Sequence, residues 1–421
     1  MGNILLKGGR VIDPANNLDL IADVLIENGK VKKIGNLRVL RSVEVIDVKG
    51  KIVCPGLIDM HAHGCDFKQA KKENYISVSL AAIMGGFTTV ACMANTDPVI
   101  DNVASLQQAQ ARMEGSLINL LQIVAISKEL KGFSIQTVES LTKLLESGAA
   151  GFSDDGKAIW DPEALLKAMD NIHHFWFQRT ELKKPLLLHC EDGRFSLYDK
   201  RSEYLDISLA TNFAATQHHP IHIQHVSCAE SVDIIRETKK HYGFISCETA
   251  PHYISLTEKD FHRLGANAKM NPPLRTEKDR QAVIRGLADG TIDAIATDHA
   301  PHTPEEKNLP LDKAPLGIIG LEVAVPVILS TLNKRIPLIE IIRKLTINPA
   351  RILELKGKGT LHPGSVADIT VIDPQMRKKV EADKFQSLSR NCPWDGKWLQ
   401  GWPVMTIVGG RILMKDGKLN I

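Results

Sequence analysis

Residues 51–63, KIVCPGLIDMHAH, decide the fold, because an apolar run ends there in His61 and His63. A strand places alternate side chains on one face, so both imidazoles are expected to project together from the end of the run. Two imidazoles placed in this way can hold one metal ion. The pair alone is a weak signal, since two polar side chains on one strand face can simply be solvated.

Seven further apolar runs with polar ends follow along the chain. They begin at positions 87, 118, 149, 185, 221, 243 and 293 and read FTTVACMANT, INLLQIVAIS, AAGFSDDG, PLLLHCED, IHIQHVS, GFISCETAPH and DAIATDHAPH. Segments of helical periodicity, such as 161–172 and 229–241, separate them. Eight strand candidates alternating with helix-length segments predict an α/β fold, a (β/α)8 TIM barrel. The interval before IHIQHVS is short, so residues 201–217 must form that crossover.

The two ends of the chain have a different pattern. Residues 1–54 read as short alternating strands with turn signals, of which Asn28-Gly29 is the strongest, and residues 361–421 repeat that pattern. We therefore expect an N-terminal β-rich part at 1–54, a barrel at 55–360 and a C-terminal β-rich part at 361–421.

Composition excludes several classes of protein. The 421 residues are 43% hydrophobic and 24% charged, and the net charge of +3 is spread along the chain, so a nucleic-acid partner is not expected. The sequence has neither a secretory signal pattern nor a run of about 18 apolar residues, which predicts a cytoplasmic protein without a membrane span. Seven scattered cysteines, mostly in apolar runs, are typical of buried, reduced thiols.

Residues of the metal-ligand type stand at the ends of four more of these runs. In a (β/α)8 barrel the C-terminal ends of the strands face the active site, so these side chains are expected to converge with the histidine pair. They are Asp155, His189, His225 and Asp298. A lone histidine is more often a packing or hydrogen-bonding residue than a ligand, but six ligand-type residues at successive strand ends reverse that expectation. Four imidazoles and two carboxylates suit a borderline divalent ion, for which we predict zinc.

A divalent ion in this place indicates hydrolysis. It lowers the pKa of bound water and polarises a carbonyl group, and a neighbouring carboxylate can move the proton. Asp298 is the candidate for that carboxylate, and an amide or an ester is the expected substrate class. His222 alternates with apolar neighbours and is expected to pack or to hydrogen-bond between strands. The other histidines are assigned to surface or core positions: His173, His174, His218, His219, His241, His252 and His262.

The ordered motifs closely resemble the amidohydrolase superfamily and, within it, the type I dihydroorotases. They are GLIDMHAH, GGFTTVACMANTDP, FSDDG, HCED, HIQHVS, CETAPHY, NAKMNPPLR, TDHAPH, GIIGLE, TINPARIL and GSVADITVIDP. The resemblance covers nearly the whole chain. It implies a barrel with a β-sandwich formed from both termini, one or two zinc ions, and the reversible conversion of N-carbamoyl-L-aspartate to dihydroorotate in pyrimidine biosynthesis.

Carried over residue by residue, the resemblance implies roles for nine positions. His61 and His63 match the first metal pair, Asp155 the metal-binding carboxylate, His189 and His225 the second metal position, Asp298 a metal ligand and general acid/base, and Asn95, Asn271 and His302 the substrate contacts. Choosing Asp155 over Asp154 rests on its place before Gly156. The two asparagines also suit turns, in NTDP and before Pro272. An aspartate here differs from the hydantoinases, dihydropyrimidinases and allantoinases, which bridge their metals with a carbamylated lysine.

Cys65 is a departure from the family pattern. The family has an arginine there, whose planar fork can clamp a substrate carboxylate, and the following family residues are replaced by Asp66-Phe67-Lys68. Losing that contact costs about 2–4 kcal/mol, or roughly 30- to 1,000-fold in transition-state binding. Only Lys68 or Arg201 was a candidate to recover the loss. Cys65 itself reads as a neutral packing residue rather than a further metal ligand. The stretch after HCED is also shorter than in the family.

Three hypotheses about function follow. The first is a zinc-dependent dihydroorotase that acts on a small-molecule substrate. The second is a cyclic-amide hydrolase for a ring without a carboxylate, which Cys65 favours and the aspartate in DDG disfavours. The third is a weakly active homologue that serves as a partner of aspartate transcarbamoylase, which the complete ligand set disfavours. A homodimer or a complex with aspartate transcarbamoylase is the expected assembly.

Overall fold

The computed structural model describes residues 2–38, 43–159 and 161–421. Within these ranges the chain forms seventeen strands: β1 Asn3–Asp13, β2 Leu18–Glu27, β3 Lys30–Gly35, β4 Val43–Asp47, β5 Ile52–Pro55, β6 Leu57–Ala62, β7 Phe87–Cys92, β8 Asn119–Val124, β9 Gly151–Ser153, β10 Leu186–Leu188, β11 Ile221–Ile223, β12 Ile245–Thr249, β13 Ala294–Ile295, β14 Ile369–Lys379, β15 Trp398–Val408, β16 Arg411–Lys415 and β17 Lys418–Leu419.

The same ranges contain thirteen α-helices: α1 Tyr75–Gly85, α2 Val103–Met113, α3 Val138–Glu146, α4 Pro162–Phe177, α5 Arg201–Gln217, α6 Ala229–His241, α7 Pro251–Ser255, α8 Glu258–Leu264, α9 Glu277–Ala288, α10 Pro304–Lys307, α11 Ala324–Leu332, α12 Leu338–Leu345 and α13 Ile347–Ile352. The predicted crossover at 201–217 is α5, with the same two end residues.

Strands β6 to β13 form the barrel that the apolar runs predicted. They pair in sequence order, each parallel to the next, and a parallel bridge from Ala62 to His299 joins the eighth strand region to the first. Backbone bonds from His63 N to His299 O (2.8 Å) and from Asp298 N to His61 O (3.0 Å) complete this closure. All side chains of β6 and β7 are buried, because helices cover the outside of the barrel and side chains fill its inside. The predicted fold class is confirmed.

The remaining nine strands of the described ranges form a separate, largely antiparallel sheet from both ends of the chain. Their path runs β17-β16-β15-β14-β5-β1-β2-β3, with β4 on β1. The predicted turn at Asn28-Gly29 joins β2 to β3, and both of its residues have positive φ, 52° and 75°. Antiparallel pairing of β14 with β5 places Ile369 opposite Pro55, directly before the first barrel strand. The boundaries 1–54, 55–360 and 361–421 stay a prediction.

The connection between β14 and β15 leaves this sheet and packs on the barrel mouth. Asn391 donates from Nδ2 to Ala300 O (3.2 Å) and Gly317 O (3.1 Å), so it ties two loops of the barrel together. Trp394 is buried beside it in an apolar cluster that includes Ile318 and Ile319. The C-terminal part of the chain therefore helps to shape the region around the strand ends.

Two further expectations concern the cysteines and membranes. All seven cysteines lie in the described ranges, and each is buried and unpaired with another cysteine, as their positions in apolar runs predicted. None of the helices in the described ranges combines the length and the apolar character that crossing a bilayer requires.

Candidate metal centre

The histidine pair lies at the end of β6, where both rings point into the barrel mouth. His61 is buried, and its Nε2 lies 3.3 Å from Asp155 Oδ2. His63 Nε2 lies 3.4 Å from the same oxygen. The alternation of side chains along a strand thus brings both imidazoles to one carboxylate, as the spacing predicted.

Asp155 stands between two groups of donors. Its Oδ2 faces the first histidine pair, while its Oδ1 lies 3.4 Å from both His189 Nδ1 and His225 Nε2. The donor atoms of each group lie within 4.8 Å of one another, so each group can hold a metal ion. The carboxylate is buried and belongs to both groups, which suits a bridge between two ions.

The neighbouring Asp154 has a different environment. Its Oδ1 accepts hydrogen bonds from Ile126 N (3.0 Å) and Ser127 N (3.1 Å), and its second oxygen accepts from the Ser127 hydroxyl. This carboxylate is therefore satisfied by the loop after β8. Of the two aspartates that the sequence left open, the geometry favours Asp155 as the ligand.

Asp298 follows β13 and completes the first group. Its Oδ1 lies 3.2 Å from His63 Nε2 and 3.6 Å from His61 Nε2. Its φ is 49°, and that of His225 is 36°, in the left-handed region that non-glycine residues rarely adopt. Two of the predicted ligands are thus held in sparsely populated backbone conformations, a type of strain that clusters at functional sites.

A buried carboxylate that the sequence analysis missed orients His61. Glu248, on β12, accepts from His61 Nδ1 at 2.7 Å, which leaves Nε2 directed at the metal-binding carboxylates. Metal-binding histidines usually donate their other N–H to such a partner, which fixes the tautomer. The signal in the sequence was the glutamate of GFISCETAPH, which stands inside a strand that the barrel must bury.

The charges around these groups fit a cation. Burial disfavours an ionised carboxyl, but the surrounding imidazoles hold the pKa of Asp155 well below its ordinary range. Burial likewise disfavours a charged His61, yet Asp155 and Glu248 raise its pKa well above its ordinary value. His61 Nε2 is buried and has no hydrogen-bond partner among the described residues. A divalent ion would satisfy this nitrogen and balance the carboxylates together.

His189 has a second carboxylate partner, Glu191, which the sequence analysis also missed. Its Oε2 lies 3.0 Å from His189 Nε2 and accepts from Asn271 Nδ2 at 2.6 Å. The hydrogen bond with His189 is the main reason that the pKa of Glu191 falls to about 2. Asn271 is therefore linked to the metal-binding group through this glutamate.

A cavity of about 220 Å³ opens beside the two groups of donors. Asn95, Asn271 and His302 all line it, so the three predicted substrate residues surround one cavity. Asn95 Oδ1 lies 2.9 Å from His63 Nδ1, and His302 Nε2 donates to Leu316 O at 2.8 Å. Asn95 thus also orients a metal-binding ring.

Two other buried histidines, His222 and His252, lie in the barrel region. His222 Nδ1 lies 2.8 Å from Ser246 Oγ on the neighbouring strand, which is the inter-strand hydrogen bond expected for it. His252 had been assigned to surface or core positions, and it is fully buried with its Nε2 3.9 Å from Asp298 Oδ2. Burial lowers its pKa to about 4. It is a core residue that packs against the centre.

Cys65 lies on the cavity wall. It is buried, and burial raises the pKa of its thiol to about 12, so the group is neutral. Neither basic residue that the sequence offered as a replacement lines the cavity. Lys68 Nζ pairs with Asp97 at 3.1 Å, and Arg201 pairs with Asp199 at 2.5 Å.

Comparison with known proteins agrees with this geometry. The model of the amidohydrolase family matches residues 52–413. A dihydroorotase of Geobacter metallireducens is 41% identical over 98% of this chain and 100% of its own length, and a dihydroorotase of Geotalea daltonii is 40% identical over 98% and 99%. Among solved structures, an L-hydantoinase from Arthrobacter aurescens superposes with a TM-score of 0.89 at 24% identity, covering 100% of this chain and 98% of its own, which shows a shared fold.

The resemblance inferred from the ordered motifs is therefore confirmed over nearly the whole chain. The relatives span the same length as this chain, and the region matched by the family model contains the ends of all eight barrel strands. The chain belongs to the amidohydrolase family, as do the dihydroorotases that it resembles.

Proposed function

We propose that this protein is a metal-dependent dihydroorotase, which interconverts N-carbamoyl-L-aspartate and dihydroorotate with one or two zinc ions. The observation that carries the proposal is the carboxylate of Asp155 shared by two groups of donors next to a cavity. Relatives named dihydroorotase, about two fifths identical over their full length, support the substrate.

The residues proposed to hold the metal are those that converge on Asp155. His61, His63 and Asp298 form one side, His189 and His225 form the other, and nitrogen and carboxylate oxygen donors are those that zinc prefers. When bound, zinc supplies a Lewis acid for the amide carbonyl and lowers the pKa of water.

Asp298 is the proposed general acid/base. Burial raises the pKa of this carboxyl, but the hydrogen bond with His63 and the neighbouring imidazoles outweigh burial and lower it, so the group is ionised and ready to accept a proton. It takes a proton from the water that attacks the amide carbonyl carbon of the ring. It returns that proton to the ring nitrogen as the C–N bond breaks, which yields a ureido group and a carboxylic acid that releases its proton to solvent at neutral pH.

Polar residues that line the cavity are proposed to orient the ring. Asn271 and His302 present an amide and an imidazole to the cavity, and Asn95 lines it beside His63. These polar groups can hydrogen-bond the ring and its carboxylate. Orientation matters because a cyclic amide must present its carbonyl carbon to the attacking water at short range.

Metal analysis and a substrate comparison test the proposal. Purified protein is expected to carry about one to two zinc ions per chain and to hydrolyse dihydroorotate faster than hydantoin or dihydrouracil. Asp298→Asn should retain the fold and lose about 10²- to 10⁴-fold in kcat. A metal-free protein that stays metal-free with added zinc would contradict the metal assignment, while a loaded protein that prefers dihydrouracil would contradict only the substrate.

The second hypothesis, a ring substrate without a carboxylate, rests on Cys65. A thiol that burial keeps neutral cannot attract an anion as a guanidinium does. The same assay distinguishes the two hypotheses. Faster turnover of dihydroorotate supports the first, and faster turnover of dihydrouracil or hydantoin supports the second.

The assembly also remains to be tested. A homodimer or a complex with aspartate transcarbamoylase is proposed on the resemblance alone, and a cytoplasmic location is proposed with it. Light scattering of the protein alone and after mixing with an aspartate transcarbamoylase would measure both assemblies. A single monomeric mass in both samples would contradict them.

A further inference from the structure

The position of the missing arginine has a neighbour that can take over its charge. Lys72 lines the same cavity as Cys65 and His302, and it is the one lysine or arginine among the described residues that form the cavity wall. It lies seven positions after Cys65, on the far side of the loop that follows β6. A comparison of sequences at position 65 alone does not point to Lys72, because only the fold of this loop brings both residues to the cavity.

The loop between β6 and α1 is folded so that both residues reach the cavity. Cys65, Asp66 and Phe67 have φ values of 52°, 52° and 48°, which turn the chain sharply away from the strand. The Asp66 carboxylate holds this turn by accepting from Phe67 N (2.5 Å) and Tyr75 N (3.1 Å). The chain then returns to the cavity at Lys72.

The backbone around Lys72 is anchored on the C-terminal segment of the chain. Ser389 Oγ donates to Lys72 O at 2.8 Å. The next residue, Glu73, is fully buried and accepts from the Ser387 hydroxyl and from Leu388 N at 3.3 Å. Lys72 is thus held in place by hydrogen bonds to its own carbonyl oxygen and to the carboxylate of the next residue.

The ammonium group of Lys72 pairs with Glu306, while the lysine itself lines the cavity. The Nζ atom lies 3.0 Å from Glu306 Oε1, and the other oxygen of that carboxylate accepts from Thr303 N at 3.0 Å and lies 3.3 Å from His302 Nδ1. An ammonium has three donors, so pairing with Glu306 leaves others for a ligand. The side chain is 22% exposed, which keeps the charge accessible from the cavity.

Two other basic residues near this loop, Arg112 and Lys68, are engaged outside the cavity. Arg112 Nη1 lies 2.8 Å from Asp66 Oδ1, and its guanidinium stacks on the Phe67 ring. Lys68 pairs with Asp97. The short side chain of Cys65 completes the wall without adding a charge, so an anion that enters the cavity meets the charge of Lys72.

We propose that Lys72 binds the carboxylate of the substrate in place of the family's arginine and so determines selectivity for an anionic ring. The inference rests on the proposed dihydroorotase function and names a residue that the family pattern does not supply. A lysine is a point charge rather than a planar fork, so it holds the carboxylate with less orientation than an arginine would.

Substitution of Lys72 tests this proposal on the zinc-loaded, full-length protein. Lys72→Met should raise KM for dihydroorotate, or weaken its binding measured by calorimetry, by about ten- to hundredfold, since a charged hydrogen bond is lost. Turnover of dihydrouracil, a ring without a carboxylate, should change less than about threefold. Lys72→Arg keeps the charge and should keep most of the affinity. Lys68→Met, in the same loop but outside the cavity, is the matched control.

A rescue variant guards against a purely structural effect. Adding Cys65→Arg to Lys72→Met should restore dihydroorotate affinity without changing dihydrouracil turnover. Equal loss for both rings, or no loss for dihydroorotate, would overturn the role of Lys72 while leaving the proposed activity intact. If the wild-type protein does not turn over dihydroorotate, the proposed function fails. Calorimetry then tests the role of Lys72 by itself. Weaker binding of dihydroorotate, but not of dihydrouracil, by the Lys72→Met variant supports the role. Equal binding of dihydroorotate by both proteins, or no binding by the wild type, refutes it.

Discussion

The cavity has two walls that are built in different ways. The first wall, the strand wall, contains four of the proposed metal ligands, His63, Asp155, His189 and Asp298, at the ends of barrel strands, where the parallel pairing fixes which residues meet. The second wall, the loop wall, comes from residues 64–74 and 300–317, which the segment 387–391 holds in place through hydrogen bonds. A ligand on the strand wall has no substitute, whereas a charge on the loop wall can be supplied from another position.

The largest effect is expected from breaking the strand wall at its centre. Asp155→Asn removes a charge from the carboxylate shared by both groups of donors, so we expect loss of bound metal and a fall in kcat of about a thousandfold or more. Metal content by mass spectrometry and dihydroorotate turnover measure the two effects.

The adjacent aspartate provides the matched control. Asp154→Asn should keep the metal and lower the unfolding temperature, because Asp154 is bonded to Ile126 N and Ser127 N and not to the centre. Metal loss in Asp154→Asn with retention in Asp155→Asn would reverse the assignment of the two residues.

A smaller effect is expected from the carboxylate behind the strand wall. Glu248→Gln weakens the partner of His61 Nδ1 and should lower metal affinity by about ten- to hundredfold without emptying a protein loaded with excess zinc. Competition with a chelator measures the affinity. Unchanged affinity would mean that the ring of His61 is held by packing and Gln224 alone, whose Nε2 lies 3.2 Å from the same nitrogen.

The loop wall is expected to respond to pH through Glu322. Burial raises the pKa of this carboxyl from about 4.5 to about 8, although it accepts from Gln386 N (2.8 Å) and Ser387 N (3.1 Å). The folded state thus binds a proton that the unfolded state releases between these pH values. The free energy of unfolding that this group contributes is complete below about pH 4.5 and is lost as pH rises to about 8.

Glu322→Gln removes that dependence and keeps an oxygen for the two backbone N–H groups. Relative to the wild type, the variant should gain about 3 kcal/mol in free energy of unfolding between pH 5 and pH 8. Urea titrations of both proteins at several pH values measure the difference. A constant difference across this range would show that the carboxyl is ionised throughout.

The smallest effect separates stability from binding on the loop wall. Asn74 and Asn102 both form capping boxes, at the starts of α1 and α2, with Ser77 and Ser105 as partners. Asn74→Ala and Asn102→Ala should each cost about 1 kcal/mol in free energy of unfolding. Only Asn74→Ala should also raise KM, because Asn74 follows Lys72 and Glu73. Equal KM values would show that the loop is held by its contacts with residues 387–389 rather than by the helix cap.

The difference between the walls explains what the sequence could predict. Eight apolar runs predicted the eight barrel strands, and five of these runs end in the six ligand-type residues that the structure brings together. Glu248 and Glu191 were missed because their role depends on which nitrogen of a histidine they face, which periodicity does not encode. Lys72 was missed because its meeting with Cys65 depends on three positive φ values and on bonds from the far end of the chain.

The segment between β14 and β15 has a consequence for how the protein is made. Its Ser387, Ser389 and Asn391 hold loops that precede them by about 300 and about 90 residues in the chain. Translation proceeds from the N-terminus, and the barrel strands emerge from the ribosome long before this segment does. A nascent chain can therefore assemble its histidines and aspartates early, but the binding cavity acquires its final shape only after residues 387–391 have been synthesised.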